Sequence, residues 1–160
     1  MRRLSLLALF LAIPAFGQPA TGGDSFGKLA AHFLDEHTLV VLRVDVSQVD
    51  LGTILKVASA VLGEDASEMA KAVKAWVADF TSSGGKNILL TYGAGDYPHL
   101  PCLIVPTAEA NRKPIGEKLI AAFEALGKES ESIALHGCVC VGTKEAIAGL
   151  KSKKPVERPE

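Results

Sequence analysis

Residues 87–93 (NILLTYG) and 101–106 (PCLIVP) decide the predicted fold, because both are short apolar segments and only a short loop separates them. Apolar segments of this length, bounded by Gly, Pro, Asn or Asp, are typical of strands. No helical pattern lies between them, so we expect two adjacent antiparallel strands. The sequence therefore predicts the α+β class rather than a parallel sheet with crossover helices.

Residues 38–46 (TLVVLRVDV) predict a further strand, because they are β-branched and strongly apolar. Side chains of a strand alternate between its two faces, and one face here is wholly apolar. We therefore expect a central strand with one face fully buried. The apolar face is expected to hold Val40, Leu42, Val44 and Val46, and the opposite face Leu39, Val41, Arg43 and Asp45.

Helical patterns lie around these strands. Apolar residues recur at steps of three and four in 51–62, 65–80 and 115–126, as in amphipathic helices. Gly84 and Gly85 are expected to end the second of these helices.

The C-terminal part predicts a hairpin and a helix. Strands 132–135 and 138–141 are expected to join at a His136-Gly137 turn, and Thr143 is placed to cap a short final helix.

The order of elements is close to the β-α-β-β-α-β order of ferredoxin-like folds. We therefore expect an α+β, ferredoxin-like two-layer sandwich with an extra helix and a C-terminal hairpin and helix. In such a fold the strand order is 4-1-3-2, with the first strand in the centre and the helices on one face of the sheet.

Three stretches resemble an uncharacterised family of secreted bacterial α+β proteins: VVLRVDVSQVD (40–50), the AWV helix that ends in SSGGKN (75–87), and CVCVGTKEAIAGLK (138–151). In that family a strand that ends in R-V-D leads into a helix, and a V-V-V-G-[ST] strand leads into another. The resemblance implies export and the α+β class. It implies no activity.

Residues 1–17 have the layout of a secretory signal peptide: two arginines, the apolar run 4–13 (LSLLALFLAI) and small residues before Gln18. The run is about half the roughly 20 residues that span a bilayer, so we expect cleavage and no membrane insertion afterwards. The mature protein is expected to be secreted or periplasmic. We expect a flexible leader over 18–24, one α+β domain over 25–152, and a polar, Pro-containing tail or linker over 153–160.

The charge balance gives no case for nucleic acid. The 143 residues after the predicted cut carry 15 basic and 18 acidic side chains, and a nucleic-acid-binding domain usually carries a basic excess. The basic cluster Lys151, Lys153 and Lys154 is expected to belong to a solvated tail. The partner of such a domain would be an unknown protein or another cell-envelope component.

Cys102, Cys138 and Cys140 are too few to build a disulfide scaffold. Cys138 and Cys140 share one strand face, and with Cys102 and His136 they could form a thiolate-rich metal site. In the ferredoxin-like order, however, Cys102 would lie two strand spacings, about 10 Å, from the pair. We therefore favour three small buried side chains, and expect no metal and no cofactor.

The best candidate binding residues are Asp96, Tyr97 and His99, an acid, a phenol and an imidazole on one connecting loop. Gly, Asp and Pro also occur in any tight turn, so a plain connection is the alternative. The spacing of His32 and His37 does not place both on one helical face, so we expect helix-end and loop residues rather than metal ligands. Arg43 and Asp45 could bind a ligand, although pairing with neighbouring polar side chains is favoured.

The sequence contains no G-x-S-x-G elbow, no G-x-x-x-x-G-K-[ST] loop and no acid-rich calcium loop, and no catalytic residue is predicted. We therefore lean towards a non-enzymatic extracytoplasmic module that binds a partner through a sheet face or the 96–99 loop. The alternatives are a thiol or metal-binding protein that uses Cys102, Cys138 and Cys140, and a hydrolase with a site near Asp96 and His99. An open apolar sheet face would favour the binding module.

Overall fold

A computed structural model describes residues 23–53, 66–93, 101–125 and 127–153. Most of the predicted helix 51–62 and all of Asp96, Tyr97 and His99 lie outside these ranges. The described helices and strands are α1 (Gly23–Ala31), β1 (Thr38–Asp45), α2 (Ala66–Ser82), β2 (Asn87–Gly93), β3 (Cys102–Pro106), α3 (Arg112–Ala125), β4 (Glu131–Leu135), β5 (Cys138–Gly142) and α4 (Lys144–Ser152).

The five strands form one antiparallel sheet in the order β1-β2-β3-β5-β4. The pairing of β2 with β3, with Leu90 opposite Leu103, confirms the neighbours that the sequence predicts. The chain is α+β, as expected.

The predicted ferredoxin-like order is not the order found in this sheet. Strand β1 lies at an edge, not in the centre, and β5 inserts between β3 and β4. The reason is that β2 pairs directly with β1 instead of leaving a place between them for a later strand. Hydrophobic alternation along β1 specifies which side faces the core but not how many neighbours the strand has.

Helices cover both faces of the sheet, so the predicted two-layer sandwich is also wrong. Helices α2 and α3 pack on one face and α1 and α4 on the other. The first core consists of Val44, Val46, Phe80, Ile88, Leu103, Val105, Ile115, Leu119, Phe123, Val139 and Val141. The second consists of Ala30, Phe33, Leu89, Cys102, Ile104, Cys138, Cys140, Ile147 and Leu150.

Helix α2 ends where the sequence predicts. The Gly84 N–H donates to the Thr81 carbonyl (2.9 Å) and the Gly85 N–H to the Phe80 carbonyl (3.0 Å), which satisfies the last carbonyls of the helix. Gly84 adopts φ +88°, a left-handed conformation that disfavours other residues. A Cβ there would also collide with the Asn111 amide.

The β4–β5 hairpin is confirmed. His136 and Gly137 have φ +49° and +75° and occupy the two central positions of the turn, between the paired residues Leu135 and Cys138. Two positive φ values are those of a type I′ turn, whose twist matches the flanking strands. The predicted Thr143 cap is also present, since its hydroxyl accepts a hydrogen bond from the Ala146 N–H (3.3 Å).

Both ends of the described chain differ from the prediction. Helix α1 begins at Gly23, inside the expected leader. Lys153, expected in a solvated tail, has a side chain only 8% exposed and lies 3.9 Å from the Asp35 carboxylate. Desolvation raises the pKa of Asp35, but the Thr38 hydrogen bond, the Lys153 charge and the contacts with His37 together hold that pKa below its usual range. Lys153 thus joins the end of α4 to the turn before β1.

The conformation of Gly84 gives a stability prediction. Gly84→Ala should lower the free energy of unfolding by about 1–3 kcal/mol, because alanine must adopt a positive φ and displace Asn111. Gly149→Ala is the matched control, because Gly149 lies within α4 with open space around it. It should leave stability unchanged or raise it by up to about 1 kcal/mol. Urea unfolding followed by circular dichroism measures the free energy of unfolding of both variants. Equal changes in the two would contradict the requirement for glycine at position 84.

Candidate functional site

Arg43 and Asp45 have structural partners. The Arg43 Nε donates to Asn87 Oδ1 (3.1 Å) on the neighbouring strand. The Asp45 carboxylate accepts from the N–H (3.0 Å) and hydroxyl (2.6 Å) of Ser47 and so caps the short 3-10 helix Val46–Gln48. These contacts favour the structural interpretation of both residues.

His32 and His37 lie outside the helices, as expected. His37 is within 3.5 Å of Glu36 in the turn before β1. His32 follows α1 and stacks on His136 of the hairpin turn, with ring centroids 4.6 Å apart. The sequence pattern did not reveal this stacking, because it joins two turns that are far apart along the chain.

The three cysteines are closer together than the sequence predicted. The expected separation of two strand spacings is wrong, because β3 and β5 are adjacent. Cys140 lies opposite Ile104, and Cys102 lies opposite Gly142, where an added Cβ would approach the Cys102 Sγ to 2.8 Å. The three side chains therefore share one face of two neighbouring strands.

All three thiols are buried among apolar side chains of the second core. Burial raises the pKa of Cys138 to about 11, and the Arg112 charge opposes only part of that rise. Burial, together with the neighbouring Cys138 and Cys102, also raises the pKa of Cys140. Cys138 and Cys140 are thus protonated at neutral pH, whereas a nucleophilic cysteine is a thiolate. Within the described ranges no group of three or more His, Cys, Asp or Glu residues could hold a metal ion.

The outer edge of β1 is an open apolar surface. Leu39 is 70% exposed, Val40 54% and Val41 48%, and these are the exposed large hydrophobic residues of the described chain. Val40 shares its face with the buried Val44, Val41 lies on the opposite face, and Leu39 is at an irregularity in the pairing with β2. Nothing in the described part of the chain pairs with the outer side of this strand.

The opposite edge of the sheet has a groove of about 340 Å³ between β4 and α3. Gly116 brings the helix close to the strand, since a Cβ there would lie 3.1 Å from the Ser132 hydroxyl. The side chains of Ser132 and of Ala134, two residues further along β4, are small and exposed. The groove is lined by Arg112, Lys113, Glu117, Ile120, Ser132, Ile133, Ala134 and Val139.

The burial of the thiols predicts a pH dependence of stability. Above about pH 9 the thiols of the unfolded chain ionise, while Cys138 keeps its proton up to its pKa of about 11. The folded state then binds more protons, so the free energy of unfolding falls as pH rises. Cys138 alone contributes a fall of about 2 kcal/mol between pH 8.5 and 11, and the raised pKa of Cys140 adds to it. A Cys138→Ala, Cys140→Ala double variant should lose this fall in urea titrations. A native protein of constant stability over that range would contradict the predicted burial effect.

No protein-family model, curated protein or solved structure matches this chain. The function of the protein is therefore inferred from the geometry of its own residues.

Proposed function

We propose that this protein is an exported, non-enzymatic module that binds a protein partner through the outer edge of β1. The observation that carries the proposal is the exposure of Leu39, Val40 and Val41 on a strand at the edge of the sheet. Soluble domains usually protect such edges with charge, bulges or a covering element.

Strand addition is the mode of binding that fits this edge. The outer side of an edge strand presents unpaired N–H and C=O groups at regular spacing, and an extended segment of a partner can pair with them. Val40 and Val41 point to opposite faces, so they would contact alternate side chains of the added strand. Main-chain pairing would supply affinity, and these apolar contacts would supply specificity.

The C-terminal half of β1 is packed against the rest of the fold and holds this edge in place. Val44 is buried in the first core, and Arg43 is held by Asn87. The exposed half therefore extends from a rigid strand, so little ordering entropy is lost on binding. Because its side chains are largely in solvent, they can be changed with little effect on stability.

Binding at β1 can be tested with Val41→Lys and Leu39→Lys. Each should abolish saturable binding of the purified protein to immobilised cell-envelope extract of its source, because a lysine would be desolvated in the paired strand. Ala148→Lys is the control, since it places the same charge on an exposed position of α4. Each variant should unfold within about 0.5 kcal/mol of the native chain.

A second comparison distinguishes binding at the edge of β1 from binding at the 96–99 loop. Alanine at Asp96, Tyr97 and His99 should leave binding intact if β1 is the contact. Loss of binding in this triple variant with retention in Val41→Lys would overturn the edge proposal and favour the loop.

Export is tested separately. Residues 1–30 fused to alkaline phosphatase should give periplasmic activity in a bacterial host, because the apolar run 4–13 directs secretion. Leu9→Arg, in the middle of that run, should reduce the activity at least about tenfold, whereas Gln18→Arg, beyond it, should not. Equal activity of the Leu9→Arg fusion would contradict the signal-peptide assignment.

A further inference from the structure

We propose a second binding site, independent of β1: the groove between α3 and β4 binds an extended peptide that carries a free carboxylate, and adds it as a strand to β4. The site is distinct because β1 and β4 are at opposite edges of the sheet. Three features support this proposal: free main-chain groups, space beside them, and a basic end.

The hairpin geometry identifies the free main-chain groups. In a two-residue turn the flanking pair, here Leu135 and Cys138, is joined by a hydrogen bond. Antiparallel pairs alternate between bonded and non-bonded, so the pairs that contain Ala134 and Ser132 are non-bonded. The N–H and C=O of these two residues therefore point away from β5, towards the open edge.

The same two residues leave space for a ligand. Ser132 and Ala134 point towards the α3 side, since they are paired with Val141 and Val139 of the first core. Their side chains are small and exposed, and α3 stands beside them as the other wall. A strand added to β4 would thus have main-chain partners on one side and helix side chains on the other, as in the peptide grooves of strand-addition domains.

Two basic side chains indicate which end of the groove would bind the carboxylate. Arg112 and Lys113 lie at the start of α3 and line the groove. Because α3 is followed directly by β4 and Gly116 lies beside Ser132, the start of α3 is at the hairpin end of β4. The Arg112 Nε is buried and has no hydrogen-bond partner among the described residues. The side chain as a whole is only half-buried, so the terminal N–H groups of its guanidinium, rather than the enclosed Nε, would bind the carboxylate. Glu117, one turn further along α3, disfavours a second acidic group deeper in the groove.

A matched pair of probes tests the site. The first is a pool of acetylated hexapeptides of Thr, Val and Ser with a free C-terminal carboxylate, and the second is the same pool with C-terminal amides. Titrated at millimolar concentration into the isotope-labelled protein, the first pool should shift the amide resonances of Ser132 and Ala134. The amidated pool should bind at least about tenfold more weakly, because the hydrogen bond to Arg112 is lost.

Variants test the residues. Arg112→Gln should remove the preference for the free carboxylate. Ala134→Glu should weaken binding at least about tenfold. Because position 134 is exposed, the variant should keep the fold, which its amide spectrum checks directly. Val41→Lys should bind the pool like the native chain, so failure here and failure of the β1 proposal are distinguishable.

Three results would overturn the proposal. They are equal affinity for the two pools, no saturable shift at Ser132 and Ala134, and shifts at Arg112 alone that inorganic phosphate reproduces. The last of these would indicate an anion site without strand addition.

Discussion

Burial of β3 and β5 on both faces is the constraint on which the rest of the structure depends. One face of these strands lies in the first core, with residues of α2 and α3, and the other face lies in the second core, with residues of α1 and α4. A strand of this kind must be apolar at consecutive positions rather than at alternate ones, because neither face meets water. The runs LIV in β3 and CVCV in β5 satisfy that requirement.

This central burial also explains the cysteines and the edges. Cys102, Cys138 and Cys140 occupy the second core because a thiol is small, apolar in its protonated form and suited to a tight interior. Because β2 pairs with both β3 and β1, and β4 pairs only with β5 among the described strands, β1 and β4 are the outer strands. Both proposed binding surfaces follow from the position of these two strands.

Local chemistry made much of the fold predictable. The glycines after α2, the His136-Gly137 turn and the Thr143 cap act within a few residues, so they can be inferred from the sequence alone. Strand order depends on contacts between residues far apart, and alternation along a strand does not encode it. The uninterrupted apolar runs of β3 and β5 did carry a signal for helices on both faces.

The candidate site was less predictable for the same reason. Leu39 and Val41 were recognised as apolar, but a single strand does not show whether a neighbour covers it. The α3–β4 groove requires Gly116, Ser132 and Ala134 to meet in space, although no local motif connects them. Lys153 is expected in a solvated tail, but its side chain is buried beside Asp35. The sequence does not indicate this contact, because Asp35 lies in the turn before β1, far away along the chain.

The open edge of β1 has a consequence for the behaviour of the free protein. An apolar edge strand is also a template for aggregation, since another copy can pair with it as readily as a partner can. The irregular pairing at Leu39 and the charge of Arg43 interrupt this edge at both ends of its apolar part. They shorten the stretch on which a growing aggregate could extend. Self-association of the unbound protein through this edge would therefore increase with its concentration, and a strand bound at the edge would block it.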